Sequence, residues 1–229
     1  MQRLPLLYLI RAGVLAKNEE ALCLAFNVKR GDYFNRYQNH PHYSCFIQFA
    51  LLNYFWLHND LETVTANLTY FETNCLPVNP DEDMLRYRWF ATTLALLYFA
   101  TENYKKALHY ANRVATTNPH NLCEIHYRDF CRIFRFVIES QLIHHYTTRE
   151  HDAYIALVQS TISTFKREHG LKPENKNRSY ELCLLDYFQN PTPETRNHCL
   201  AELNLLHHTT TARHFNALFD FENWLKESQ

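Results

Sequence analysis

Glycine is nearly absent from this chain: in 229 residues it occurs only at Gly13, Gly31 and Gly170. Phosphate-cradling loops need several glycines close together, so a P-loop and a dinucleotide fingerprint are both excluded. No Cys-x-x-Cys spacing occurs, and the seven cysteines at 23, 45, 75, 123, 131, 183 and 199 match no zinc-ribbon pattern. His-Glu-x-x-His and Gly-x-Ser-x-Gly are missing too, which removes the zincin helix and the hydrolase elbow. A basic excess is lacking: the net charge is -1 and the pI about 6.9, unlike the usual non-specific nucleic-acid binder. No apolar run approaches the ~20 residues that span a bilayer. No segment alternates as a half-buried strand does.

Aromatic residues are plentiful, with 15 Tyr and 16 Phe, and they suit helices that interlock through large side chains. The length allows one large domain or two small ones with a substantial core. The cysteine count is odd and several thiols fall on apolar helix stripes, where free Cys acts as a small hydrophobe. That pattern reads as a reducing compartment and a cytoplasmic protein. At the N-terminus the apolar stretch Leu4 to Ile10 is interrupted by Arg11, and no small-residue cleavage site follows. An amphipathic helix fits this layout better than a secretory leader. The 14 His would add positive charge in mild acid.

Apolar spacing of three and four, with punctuation at the ends, predicts helices throughout. The first covers Leu4 to Leu15. Asn18 caps a second that runs to about Arg30, with Glu19 and Glu20 in its first turn and Gly31 at its end. After the His40-Pro41-His42 break comes a strongly apolar helix from Tyr43 to Leu57. Asn59-Asp60 makes the turn and caps the next, Leu61 to about Asn74. A third pair spans Pro80 to about Thr101 and Tyr104 to Thr117, stopped by Asn118-Pro119. The fourth pair covers about Leu122 to Tyr146 and Glu150 to His169, ended by Gly170. After the polar connector Lys172 to Arg178, the fifth covers about Ser179 to Gln189 and Pro193 to His208, with Thr192 as cap. A last helix is expected over Ala212 to Lys226. Turns near Asn18, Asp60, Asn103, Glu150 and Thr192 recur every 42 to 47 residues, a period typical of helical-hairpin repeats.

Leu94 to Pro119 is the most regular of these units. Leu94, Ala95 and Tyr98, then Tyr104, Ala107, Leu108, Tyr110 and Pro119, resemble the large, small, aromatic and closing positions of a tetratricopeptide repeat. Short Ala95 and Ala107 let two helices approach, and aromatics fill the gaps beside them. The departures are Ala91, where that family prefers Trp, and Glu102, where it prefers Gly. Neighbouring pairs fit in outline, through Leu52, Phe55, Leu61 and Val64, and through Leu142, His145 and Ile155. The ending Phe219 to Lys226, together with the long irregular repeats, resembles a set of bacterial tetratricopeptide-like proteins that close on an FDF-x-x-WL-type helix. The resemblance implies an all-α fold of antiparallel hairpins stacked as an α-solenoid of about 11 helices, with a C-terminal capping helix. It implies no activity. Residues 1–229 read as one such domain. The short opening helix lacks a polar cap, which suggests the C-terminal part of a longer array.

Candidate sites divide between chemistry and packing. Cys123, His126 and Cys131 recur at helical spacing and would need a fourth ligand to hold a metal; a core stripe containing two thiols is the simpler reading. The histidine pairs at 40 and 42, 144 and 145, and 207 and 208 sit near helix ends, where capping of the last carbonyls is the common use. His145 with Glu150, or Glu139 with His144, make acid–base pairs of no special kind. No metal or cofactor is implied, and the chain reads as a non-enzyme. Arg86 and Arg88, then Arg128, Arg132 and Arg135, lie on the first helices of pairs three and four among Tyr87, Trp89, Phe134 and Phe136. Arg128, Arg132 and Arg135 share one face. They would either grip a carboxylate, a phosphate or an RNA backbone, or form a solvated face paired with Glu124, Asp129 and Glu139.

In tetratricopeptide arrays the first helices line a concave surface. Carried onto this chain, that face would present Phe46, Phe49, Asn53 and Trp56 in pair two, and Trp89, Thr92, Leu96 and Phe99 in pair three. These are either binding anchors in an open groove or core residues in a closed one. The reading that follows is a scaffold binding a protein or peptide, with Phe49, Asn53, Trp56, Trp89, Thr92, Phe99, Arg128, Arg132 and Arg135 as contact residues. A nucleic-acid-associated array, or an enzyme or metal site between helices, are the alternatives.

Overall fold

A computed structural model describes residues 60–75, 84–120, 122–142, 148–168, 170 and 180–227. The helices expected over Leu4 to Leu15, Asn18 to Arg30 and Tyr43 to Leu57 lie outside the described residues. So do Phe46, Phe49, Asn53 and Trp56, and the connector from Lys172. The described residues are all-helical, with no strand among them. In order they form α1 (Leu61–Cys75), α2 (Met84–Ala100), α3 (Tyr104–Ala115), α4 (Leu122–Leu142), α5 (Thr148–Glu168), α6 (Tyr180–Gln189), α7 (Pro193–Leu206), α8 (Thr210–Leu218) and α9 (Phe221–Glu227). None of these is long and apolar enough to cross a membrane. The chain divides into two compact units, Met1–Ala107 and Leu108–Gln229, and the boundary falls within α3.

In the first unit, α1 is capped by Asp60, whose Oδ1 accepts from the Thr63 backbone N–H at 3.0 Å. Val64, Leu68 and Phe71 bury one stripe of α1, while Glu62, Thr65 and Thr69 stay exposed. This stripe packs on α2, where Phe71 meets Phe90 edge to face at 5.3 Å. From Tyr87 to Tyr98, α2 is buried all round, including Arg88 and Thr92. It ends in a left-handed turn at Glu102, φ 59°. The Glu102 N–H donates to Phe99 O and the Asn103 N–H to Tyr98 O, the paired closure of a Schellman motif. Asn103 then caps α3 by accepting from the Lys106 N–H at 3.3 Å. Glu72 joins all three helices: its Oε2 accepts from Tyr98 Oη at 2.7 Å and from Lys106 Nζ at 2.8 Å.

The second unit is organised around α6, which packs on α4, α5 and α7 and buries most of its ten residues. Its partner α7 starts as the sequence predicts. Thr192 Oγ1 accepts from the Thr195 N–H, Thr195 returns the bond to the Thr192 N–H, and Pro193 opens the helix. At its other end His207 bonds the Asn204 carbonyl through a ring nitrogen. Gly170, at φ 61°, follows α5 as a stop.

One helix expectation is corrected. The single helix over Ala212 to Lys226 is two, α8 and α9, broken at Phe219 and Asp220. Phe219 is extended, at φ -151° and ψ 132°, and Asp220 caps α9 by accepting from the Asn223 N–H at 3.0 Å. An aspartate there favours a new helix start over continuation. The break brings Phe219 to 5.0 Å from Phe134, and Phe221 to 6.0 Å from Phe130. With Phe215 and Tyr180 these rings close the end of the unit over α4.

Candidate functional site

The arginine row on α4 is the predicted feature that the structure describes most fully. Arg128, Arg132 and Arg135 lie on one face, and that face turns toward α5. Residue numbers run in opposite senses across the contact, since Arg128 meets Glu168, Arg135 meets Thr161 and Phe136 meets Tyr154. The two helices are therefore antiparallel, and the arginines occupy the seam between them.

At the first end of the seam two guanidinium groups converge on one oxygen. Glu168 Oε2 accepts from Arg128 Nη2 at 2.7 Å and from Arg132 Nη1 at 2.8 Å. Asp129 adds a second carboxylate, with its Oδ1 3.0 Å from Arg128 Nε and 3.5 Å from Arg132 Nη1. Arg132 Nε also donates to the Ala115 carbonyl at 3.3 Å, and its guanidinium lies 5.8 Å from the centre of the Phe165 ring. Two cations and two anions balance here. Burial pushes the Glu168 carboxyl up, but the hydrogen bond and charge of Arg132, helped by the charge of Arg128, outweigh it and hold the group below its ordinary value.

Farther along, Arg135 Nη2 donates to Thr161 Oγ1 at 2.7 Å, and that hydroxyl donates to the Leu157 carbonyl at 2.8 Å. The Arg135 guanidinium rests 4.8 Å from the Phe136 ring centre. Burial lowers the pKa of Arg135, which the nearby Glu139 charge partly offsets. Glu139, one turn on, is 9% exposed, and its Oε2 finds no hydrogen-bond partner among the described residues. Burial raises its pKa to about 7 against the pull of Arg135.

No protein-family model, no curated protein and no solved structure matches the chain.

The remaining contact residues are not gathered at this seam. Trp89 and Thr92, in the first unit, are buried, as is Leu96. Phe99 is half-buried, its ring edge-on to Tyr104 at 5.5 Å. Of the acids expected to pair with the arginines, Asp129 forms ion pairs with Arg128 and Arg132, and Glu124 accepts from the His120 N–H at 2.8 Å. Of the Cys123, His126 and Cys131 stripe, Cys131 is fully buried and the His126 ring lies 4.8 Å from that of His214, while the side chain of Cys123 lies outside the described residues. Among the described residues no three His, Cys, Asp or Glu side chains are grouped to hold a metal.

Glu168 and Thr161, the main partners of the row, escaped the sequence reading. A signal for Glu168 existed. It is an acid in the last turn of a helix, two residues before the Gly170 stop, where the macrodipole favours a cation. An acid in that place calls for a local positive partner, and the arginine row supplies two.

Proposed function

We propose that this chain is a non-enzymatic scaffold of helical hairpins, stacked as an α-solenoid, that binds a protein or peptide in a reducing, cytoplasmic setting. The joint between α2 and α3 carries the reading. The left-handed Glu102 stands between a Schellman closure and an Asn103 cap, at the position where a tetratricopeptide turn prefers glycine. Proteins built from such joints bury the faces between hairpins and present the remaining surface to partners, so the step from architecture to function is one of fold analogy. The free, buried thiols of Cys131, Cys183 and Cys199 agree with a reducing setting.

The seam geometry changes which residues would make the contact. Arg128 is buried and compensated, and half-buried Arg132 is engaged by Glu168 and Asp129, so both hold the hairpin rather than a partner. Trp89 and Thr92 act as core. Exposed apolar contacts fall instead to Leu205 and Leu157, with half-buried Phe99.

The test is photo-crosslinking in extract of the source cells, with the reactive residue placed at Leu205, Phe99 or, as control, exposed Thr65. A discrete protein adduct at Leu205 or Phe99, absent at Thr65, is expected. No adduct at either position removes the basis of the reading.

A further inference from the structure

Two buried polar atoms of α4 have no hydrogen-bond partner among the described residues: Arg135 Nε and Glu139 Oε2. They belong to side chains one turn apart, a spacing at which groups on a helix come within reach of each other. Yet no ion pair joins them. The guanidinium is committed across the seam, where its Nη2 donates to Thr161 Oγ1 at 2.7 Å while the group rests on the Phe136 ring. Glu139 is 9% exposed, so its open oxygen is not an ordinary solvated one. A buried donor and a buried acceptor, each left open, are less stable than the same two groups closed on one another.

The same groups therefore have two arrangements. Beside a neutral carboxyl, Arg135 has little to gain from Glu139 and keeps its bond to Thr161. Beside a carboxylate the balance changes, because a buried unpaired charge is strongly disfavoured. That charge draws the guanidinium along α4 and off Thr161. The Thr161 hydroxyl is not orphaned by the exchange, since it still donates to the Leu157 carbonyl at 2.8 Å. Burial raises the Glu139 pKa to about 7, which puts the exchange near neutrality.

The neighbouring elements leave this pair to itself. From α5, Tyr154 stands edge-on to Phe136 at 5.7 Å, with His151 behind it at 6.4 Å. From α6, Phe188 meets Phe136 at 5.7 Å, and Glu181, Asp186 and Tyr187 lie on the same helix. From α8, His214 stacks on His126, thirteen residues before Glu139 and so roughly 20 Å along the helix. Among the described residues the charge that acts on Glu139 is that of Arg135, and Arg135 in turn is acted on by Glu139 and Arg132. His144 and His145, which follow α4 in the chain, lie outside the described residues.

We propose that Arg135 is a two-position latch in the α4–α5 seam, bound to Thr161 on α5 while Glu139 is protonated and to Glu139 on α4 once it is not. The latch stands apart from the scaffold reading and holds whatever the chain binds. It is tested on the intact 229-residue chain by following the arginine Nε–H signals by NMR from about pH 5.5 to about 8.5, a span that brackets the exchange. The Arg135 signal, assigned by its loss in Arg135→Lys, should shift with one midpoint near neutrality and stay flat in Glu139→Gln. That control separates the latch from any titration of His144 or His145. The Thr161 methyl signal of the unaltered chain should move with the same midpoint, a readout that depends on no variant folding. Thr161→Val deletes the competing acceptor and should ease proton loss from Glu139 by at least about threefold, while Thr161→Ser keeps the hydroxyl and should stay within about twofold. An Arg135 signal that does not titrate, one that titrates equally in Glu139→Gln, a still Thr161 methyl, or a midpoint unmoved by Thr161→Val overturns the proposal.

Discussion

Glu102 holds a left-handed backbone that costs an ordinary L-residue roughly 1–2 kcal/mol and glycine almost nothing. Glu102→Gly should therefore raise stability by about 0.5–1 kcal/mol, read as a higher urea midpoint at unchanged slope. Glu102 was legible in the sequence as standing where the tetratricopeptide pattern, which this segment resembles, prefers glycine, and its left-handed backbone is the consequence. Two acids on the α4–α5 seam carry opposite pH signatures. Glu168 sits below its ordinary pKa in the fold, so its contribution is present above the unfolded value and is lost as pH falls through the folded one. Glu139, raised to about 7, binds its proton more tightly in the fold, so stability falls as pH rises from about 4.5 toward 7. Glu139→Gln should flatten that fall and stabilise the protein at pH 8 by about 1–3 kcal/mol, measured by urea unfolding across pH. A steeper fall in the variant would contradict the assignment. Sequence reading placed Glu139 among the candidate arginine partners but could not see its burial, which depends on residues distant along the chain.

The helices were legible wherever a cap and a stripe coincided. Asp60, Asn103 and Thr192 each precede an apolar stripe, and each accepts from the N–H three residues on. Removing the Thr192 hydroxyl with Thr192→Ala should cost about 1 kcal/mol. The failure at Phe219-Asp220 has a plain cause. Helical periodicity continues through the break, because Phe215, Leu218, Phe221 and Leu225 all face the core, so spacing alone shows no interruption. Only the aspartate cap gives it away. Phe221→Ala should cost about 3–5 kcal/mol, as the ring is fully buried among Phe130, Phe215 and Tyr180. A loss below about 1 kcal/mol would mean that α9 does not close the unit.

For the whole molecule, the sequence made the all-helical class plain and left the direction of its charged faces open. A helix periodicity tells which residues share a face, but not whether that face meets solvent, a ligand or another helix of the chain. The arginine row shows the difference: three cations suited to a ligand are spent on holding α4 to α5, through Glu168 and Thr161. On the scaffold reading we propose, hairpins must keep their shape when a partner binds, and a charge-balanced seam would serve that end. Urea unfolding of wild type, Arg132→Ala, Glu168→Ala and the double variant measures this directly. The account predicts that each single change costs about 1–2 kcal/mol and that the pair is coupled by about 1 kcal/mol, since removing both partners leaves less unpaired charge than removing one. Strictly additive losses would contradict it, because the arginine row would then hold nothing through Glu168.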